Sequence, residues 1–347
     1  PSFVFRSLDL SHRADDGNRD WDLTSPEARY DLSSRTIRAR RPEGVLYRND
    51  QPHYRITADL ATVLRDGELV VLEGSVQLRQ LNQRGLTIEG DNLIWTPSQS
   101  RMVINQRPKA NDGETQIRSR ELVFQQDTEV LEFSGPTQLN RVDEISSAST
   151  VVKGGNGTWN LKSGLLQAPG PVQAIRSDGR TLSASGLDGN TLQGYLDLQQ
   201  PVTLVLENDR GQINAGQTRW LFTAKQFQSD QPVQADLKNS KVQGRGFKLD
   251  QTSGTVIIAN DCRVEQTSET LTARRCAWNW RSERVVADGD VVLERTKPEQ
   301  ITRASRMEAR ISENGEVRFG QAGARVESTI KLSPAAQEKP RRPQVSF

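Results

Sequence analysis

One pattern constrains this chain more than any other. An aliphatic residue is followed two positions later by a small one, and the pair returns about every 30 residues. The pairs are Ile56/Ala58, Ile88/Gly90, Ile117/Ser119, Val152/Gly154, Leu182/Ala184, Ile213/Ala215, Val242/Gly244 and Leu271/Ala273. Thr302/Ala304 is a weaker ninth copy. Five residues beyond the small position stand four of the six tryptophans, Trp95, Trp159, Trp220 and Trp278. A second column follows the first, in Gly74-Ser75-Val76-Gln77-Leu78, Gly135-Pro136-Thr137-Gln138-Leu139 and Gly170-Pro171-Val172-Gln173-Ala174. A fixed period of this length marks a repeat architecture, in which each unit buries its apolar face only against its neighbours.

Within each segment the period is two. From Gly74 to Leu78 even positions are apolar or small and odd ones polar, the signature of a half-buried strand. Turn chemistry separates the segments at Asp66-Gly67, Ser163-Gly164, Asp178-Gly179 and Ser253-Gly254. Short turns make neighbouring strands antiparallel. Ile88 and Gly90 share one parity, while Leu93 and Trp95 take the other. Parity changes only where a strand bulges, so every strand is expected to be creased at the same height. Stacked creased strands make two facing sheets joined along a fold, an open trough. The fold class is thus all-β, an elongated open β-jellyroll (β-taco) of stacked V-shaped antiparallel strands. The tryptophan column is read as structural, closing the rim beside the crease. A trough has a thin interior, which reconciles the fold with a hydrophobic share of only 34%.

Catalytic chemistry is thinly supplied. The chain carries two histidines, His12 and His53, each in a polar stretch and read as a surface side chain. No Cys/His spacing suits zinc, so no metal or cofactor is expected, and no phosphate loop or nucleophile elbow is present. A net charge of +2 argues against a nucleic-acid binder. No apolar run is long enough to span a bilayer as a helix. An enzyme is not expected.

Several fragments, in order and spacing, carry a family resemblance. They are Trp21-Asp22-Leu23-Thr24-Ser25-Pro26-Glu27-Ala28, Gly44-Val45-Leu46-Tyr47, Tyr54-Arg55-Ile56-Thr57-Ala58, Val70 to Val76, and Leu93-Ile94-Trp95-Thr96-Pro97. From Phe3 to about Leu139 the chain resembles the periplasmic C component of lipopolysaccharide transport (LptC), with its LptA and OstA-like relatives. The resemblance implies a periplasmic protein that shields lipid acyl chains in an apolar groove. It would relay them from the inner-membrane ABC transporter toward the outer membrane. The family's N-terminal anchor is expected just upstream of Pro1. Lipopolysaccharide is the implied ligand. The N-terminal edge at Phe3-Val4-Phe5-Arg6 would pair with the transporter. The C-terminal edge, Gly315 to Val326, would pair with an LptA-like or outer-membrane translocon jellyroll by strand addition.

On this basis Ile56, Leu72, Val76, Leu78, Ile88, Ile117, Phe133, Leu139, Ile213 and Leu271 are expected to face the groove. Residues 1–140 would form the LptC-like jellyroll and 141–157 an insertion or hinge. Residues 158–330 would continue it with OstA-like repeats, and 331–347 would be a disordered tail, Pro- and charge-rich. Cys262 and Cys276 are 14 apart on successive strands. A turn centred on Glu269 would set them opposite one another, and an oxidising compartment permits a disulfide there. Two alternatives remain: a soluble LptA-like bridge, and, in a different class, a β-solenoid polysaccharide-binding protein or lyase built of parallel coils.

Overall fold

The computed structural model describes residues 2–81, 85–113, 115–142, 149–206, 211–237, 240–297, 299–310, 317–319 and 327–331. Among them the regular structure is strand, interrupted only by single 3-10 turns at Arg65–Gly67 and Pro97–Gln99. Among the described residues no helix is long and apolar enough to cross a membrane. The chain divides into two compact units, Pro1–Asn208 with Arg219–Ala224, and Asp209–Thr218 with Lys225–Phe347.

In the first unit two antiparallel ladders run side by side and share their strands. The strand Leu69–Gln80 pairs through its first half with Leu60–Leu64 and through its second half with Gln51–Thr57. The next strand, Thr87–Thr96, lies antiparallel along both halves, and its register shifts between Gly90 and Asn92. Asp91 alone lies within the shift and switches the parity of its strand. Opposite it, Gly74 and Ser75 are left-handed, with φ of 73° and 47°. The expected crease is therefore a bulge facing a left-handed pair. Elsewhere the crease breaks the strand outright, as at Ser25-Pro26 between Arg19–Ser25 and Glu27–Asp31. Pro136 serves the same end between Val130–Ser134 and Thr137–Val142, since proline cannot donate to a ladder.

We call the ladder holding Glu43–Arg48, Gln51–Thr57 and Thr115–Arg118 the first arm. The second arm holds Leu60–Leu64, Arg101–Gln106, Glu121–Gln125 and Val130–Ser134. The small-residue column lies at the apex where the arms meet. A Cβ on Gly90 would collide with the Cγ2 of Ile104, which comes from the opposite arm.

The second unit repeats this build. Gln226–Leu237, Ser240–Asp250, Thr255–Glu265, Arg284–Thr296 and Glu299–Arg310 each run through both arms. Register shifts fall between Ser229 and Pro232, Gln243 and Arg245, and Asp288 and Val291. At Gly244 a Cβ would strike Cγ2 of Ile258 in the other arm, the counterpart of Gly90 and Ile104. The pairings are antiparallel throughout the described residues, so the all-β jellyroll expectation holds and parallel coils are excluded.

The far ends of the second arm are tied by a feature not foreseen from the sequence. Asn160, Asn190, Asp250 and Asn279 each open a turn whose side-chain oxygen accepts two backbone N–H groups, two and three residues on. Each turn also bonds the one before it. In the first unit Leu161 N donates to Glu129 O at 2.9 Å and Thr191 N to Gly164 O at 2.8 Å. In the second unit Trp280 N donates to Gly254 O at 2.9 Å. The signal was present as Asn or Asp four residues before Gly164, Gly194 and Gly254.

Two further expectations meet the structure here. The stretch 141–157 is partly built into the ladder: Ser149–Gly154 pairs with Thr137–Val142 on one side and Val172–Arg176 on the other. Residues 143–148 lie outside the described residues, as does the expected tail beyond Lys331.

Candidate functional site

The interior between the arms differs along the chain. In the N-terminal stretch it is filled. Leu23, Leu46, Tyr54, Ile56, Leu72, Leu78, Ile88, Leu93, Met102, Ile104 and Phe124 are at most 2% exposed. Aromatic side chains occupy the open end of the V. Trp21 of the first arm meets Trp95 of the second edge-on at 5.4 Å, and Tyr54 meets Phe124 likewise at 5.5 Å. Trp95 thus closes the mouth, not the crease as expected, because it stands five residues out along its arm.

Above these rings lies an ionic cluster joining the arms. Arg48, the last residue of Glu43–Arg48, donates to Glu129 Oε1 at 2.5 Å and to the carbonyl of Gln126 at 3.0 Å. His53 Nε2 lies 2.9 Å from the same Glu129 oxygen, and its ring packs edge-on against Tyr54. Glu129 is 5% exposed. Burial pushes its carboxyl up, but hydrogen bonds from His53 and Arg48, with their charges, outweigh this and hold it below the usual carboxylate range. Burial and the Glu129 charge push the Tyr54 phenol well up. The surface role expected of His53 is therefore wrong. His12 does lie exposed, beside Asp20 and stacked on Trp21.

In the second unit the interior holds an apolar slot of about 50 Å³. Ile213, Val233 and Val242 line it from the first arm, and Val256, Ile258 and Trp278 from the second. Its wall is almost wholly carbon, so a water inside would find no partners. Cys276 also borders it and is bonded to Cys262, with a Cα–Cα distance of 5.9 Å. The bridge does not join facing positions of one hairpin, as the sequence suggested. Cys262 faces Ala273 across that hairpin. The chain then crosses the crease at Arg274, and Cys276 returns on the other arm opposite Ile258. The disulfide therefore ties the two arms together.

The ten residues expected to face the groove all sit on the arms, and all but Leu139 are buried. Ile213 borders the slot, whereas Ile56, Leu72, Leu78 and Ile88 belong to the filled stretch. The slot residues Val233, Val256 and Ile258 were not among the expected groove residues, although each holds an inward strand position and Val233 continues the second repeat column. A separate hollow on the outer face of the first arm is polar, bordered by Arg55, Gln77 and Arg79. Among the described residues no group of acidic, His or Cys side chains could hold a metal. At the N-terminal edge Ser2–Phe5 pairs on one side with Glu27–Asp31 and leaves Phe3, Val4 and Phe5 52%, 61% and 45% exposed. The C-terminal edge expected at Gly315 to Val326 lies outside the described residues except at Val317–Phe319.

Fold and interior together define a folded-ribbon β protein whose chemistry is apolar enclosure between two arms. Residues 1–138 match the model of the family described as "Lipopolysaccharide-assembly, LptC-related". The match covers nearly the stretch that carried the resemblance. A solved structure also matches, described as LptH, the LptA homologous periplasmic component of the conserved lipopolysaccharide transport device from Pseudomonas aeruginosa. It is 13% identical, covers 33% of this chain and 81% of that one, and has a TM-score of 0.29. At that score the likeness bears no weight for the architecture, which stands on the strand pairings. No curated protein matches.

Proposed function

We propose that this chain is a periplasmic lipopolysaccharide-transport component that shelters acyl chains between its arms. It relays them from the inner-membrane ABC transporter toward the outer membrane and makes or breaks no bond. The observation that carries this is a carbon-walled slot inside a chain whose first 138 residues match the LptC-related family model. Each buried methylene is worth ~0.8 kcal/mol, so exposing a chain of a dozen carbons costs roughly 10 kcal/mol. An enclosed apolar path removes that barrier and leaves sugars outside. The slot is smaller than such a chain, so the arms must part to receive one.

The exposed Phe3-Val4-Phe5 edge, with free backbone groups along one side, suits strand addition from the transporter. An inner-membrane anchor upstream of Pro1 belongs to the same proposal. The test is photocrosslinking in the full chain. A light-activated residue replacing Ile213 should capture lipopolysaccharide, and one replacing the outward Gln234 should not. Equal capture at both, or none at Ile213, overturns the assignment. Replacing Val233 with Trp should fill the slot and abolish capture at 213 while the chain stays folded.

A further inference from the structure

The N-terminal interior carries a second site, held shut. Three donors at its mouth, Trp21 Nε1, Tyr54 Oη and Trp95 Nε1, are buried and have no hydrogen-bond partner among the protein's atoms. Buried donors are rarely left so, and an indole N–H can only donate. Trp21 and Trp95 meet across the arms there, and Tyr54 meets Phe124 in the same way two strands along. Beside Tyr54, Arg48, His53 and Glu129 join the arms across 76 to 81 residues of sequence. Arg48 also grips the carbonyl of Gln126, so its guanidinium docks on the whole turn.

Position 129 is left-handed, with φ of 55°, like its turn counterparts Ser100 and Lys225, while those at 164, 194 and 254 are glycine. The Glu129 side chain is the one that bridges the arms.

We propose that Arg48, His53 and Glu129 latch the N-terminal cleft shut over a second acyl site. When the latch opens, Trp21, Tyr54 and Trp95 donate hydrogen bonds to acceptor oxygens at the head of an acyl chain. The ligand class is an acyl amphiphile bearing ester, amide or phosphate oxygens where the chain begins. This rests on the lipid-sheltering function proposed above and adds a gated site to it. The filled side chains beneath must then turn aside, and latch rupture sets how often they do.

The test places a diazirine phenylalanine at Phe124, under the latch, and separately at Ile213, in the full chain irradiated with purified lipopolysaccharide. With the latch intact, capture is expected at 213 and only weakly at 124. Glu129→Gln, and independently Arg48→Gln, should raise capture at 124 by about tenfold and leave 213 unchanged, because a charged hydrogen bond biases the closed state by about that factor. Adding Tyr54→Phe and Trp95→Phe to Glu129→Gln should lower capture at 124 again. No rise at 124 in either folded latch variant, or strong capture there in the intact chain, overturns the latch while leaving the slot's function standing. If 213 captures nothing in any chain, the transport function fails instead. Amide exchange at Arg55 and Ile56 then decides the latch: faster exchange in Glu129→Gln supports it, and unchanged exchange overturns it.

Discussion

The N-terminal stretch from Arg19 to Ser134 and the second unit are built from the same bent strand, yet one interior is filled and the other holds a slot. At the apex they are alike: Gly90 receives Ile104 in one and Gly244 receives Ile258 in the other. The difference lies farther out along the arms. There the first carries Trp21, Tyr54, Trp95 and Phe124, whereas in the second unit the place of Tyr54 in the repeat falls to Gly211 and Ser240 and that of Phe124 to Leu249, with Trp278 at the slot wall. The backbone sets a wedge of space that widens from crease to mouth. Aromatic rings fill that wedge at these places, and a glycine, a serine or a leucine leaves part of it open. The means of holding the arms also differ, since an ionic cluster crosses the mouth in one and a disulfide lies within the other.

The comparison breaks first on truncation of a filling ring. Phe124→Ala should cost about 4 kcal/mol, because a close-packed site cannot collapse around the hole. Val256→Ala should cost only about 1 kcal/mol, since part of the cavity already exists. Urea titration of the two variants checks this, and equal losses would mean that both interiors are packed alike. Next in size, replacing Cys262 and Cys276 with serine should lower stability by about 3 kcal/mol, by loosening the unfolded chain's constraint. The loss should be confined to the second unit, as seen by amide exchange resolved along the chain.

Smaller again is the apex. Gly90→Ala should cost about 2 kcal/mol through overpacking against Ile104. Gly155→Ala, with nothing within 4 Å of its added carbon, should melt like the parent. The smallest effect is acidic. Glu129 is held below its ordinary value, so its contribution is fully present above that value and is lost as pH falls through the lowered one. Acid unfolding followed by fluorescence should show Glu129→Gln losing part of the acid sensitivity that the parent displays between those points. An unchanged acid midpoint in the variant would show that the cluster contributes nothing.

Much of this was legible before any coordinates. The parity change between Gly90 and Leu93 located the bulge at Asp91, because side chains alternate across a strand with no freedom in the count. The recurring small residue marked the apex. Turn dipeptides marked strand ends, although the Asn and Asp caps that stack them went unrecognised. The cluster of Arg48, His53 and Glu129 was beyond reach: Glu129 lies 76 to 81 residues from its two partners, and all three stand in stretches that look like ordinary solvated loops. The disulfide partners were nameable, but their placement depended on which arm Arg274 leads into.

Local alternation and period are properties of neighbouring residues, and they alone determined an all-β chain of creased antiparallel strands with an apolar inner face. Whether that face is shut or hollow depends on how side chains from opposite arms fill a shared volume. Residues close in space and distant in the chain set that volume, so only the tertiary structure decided it.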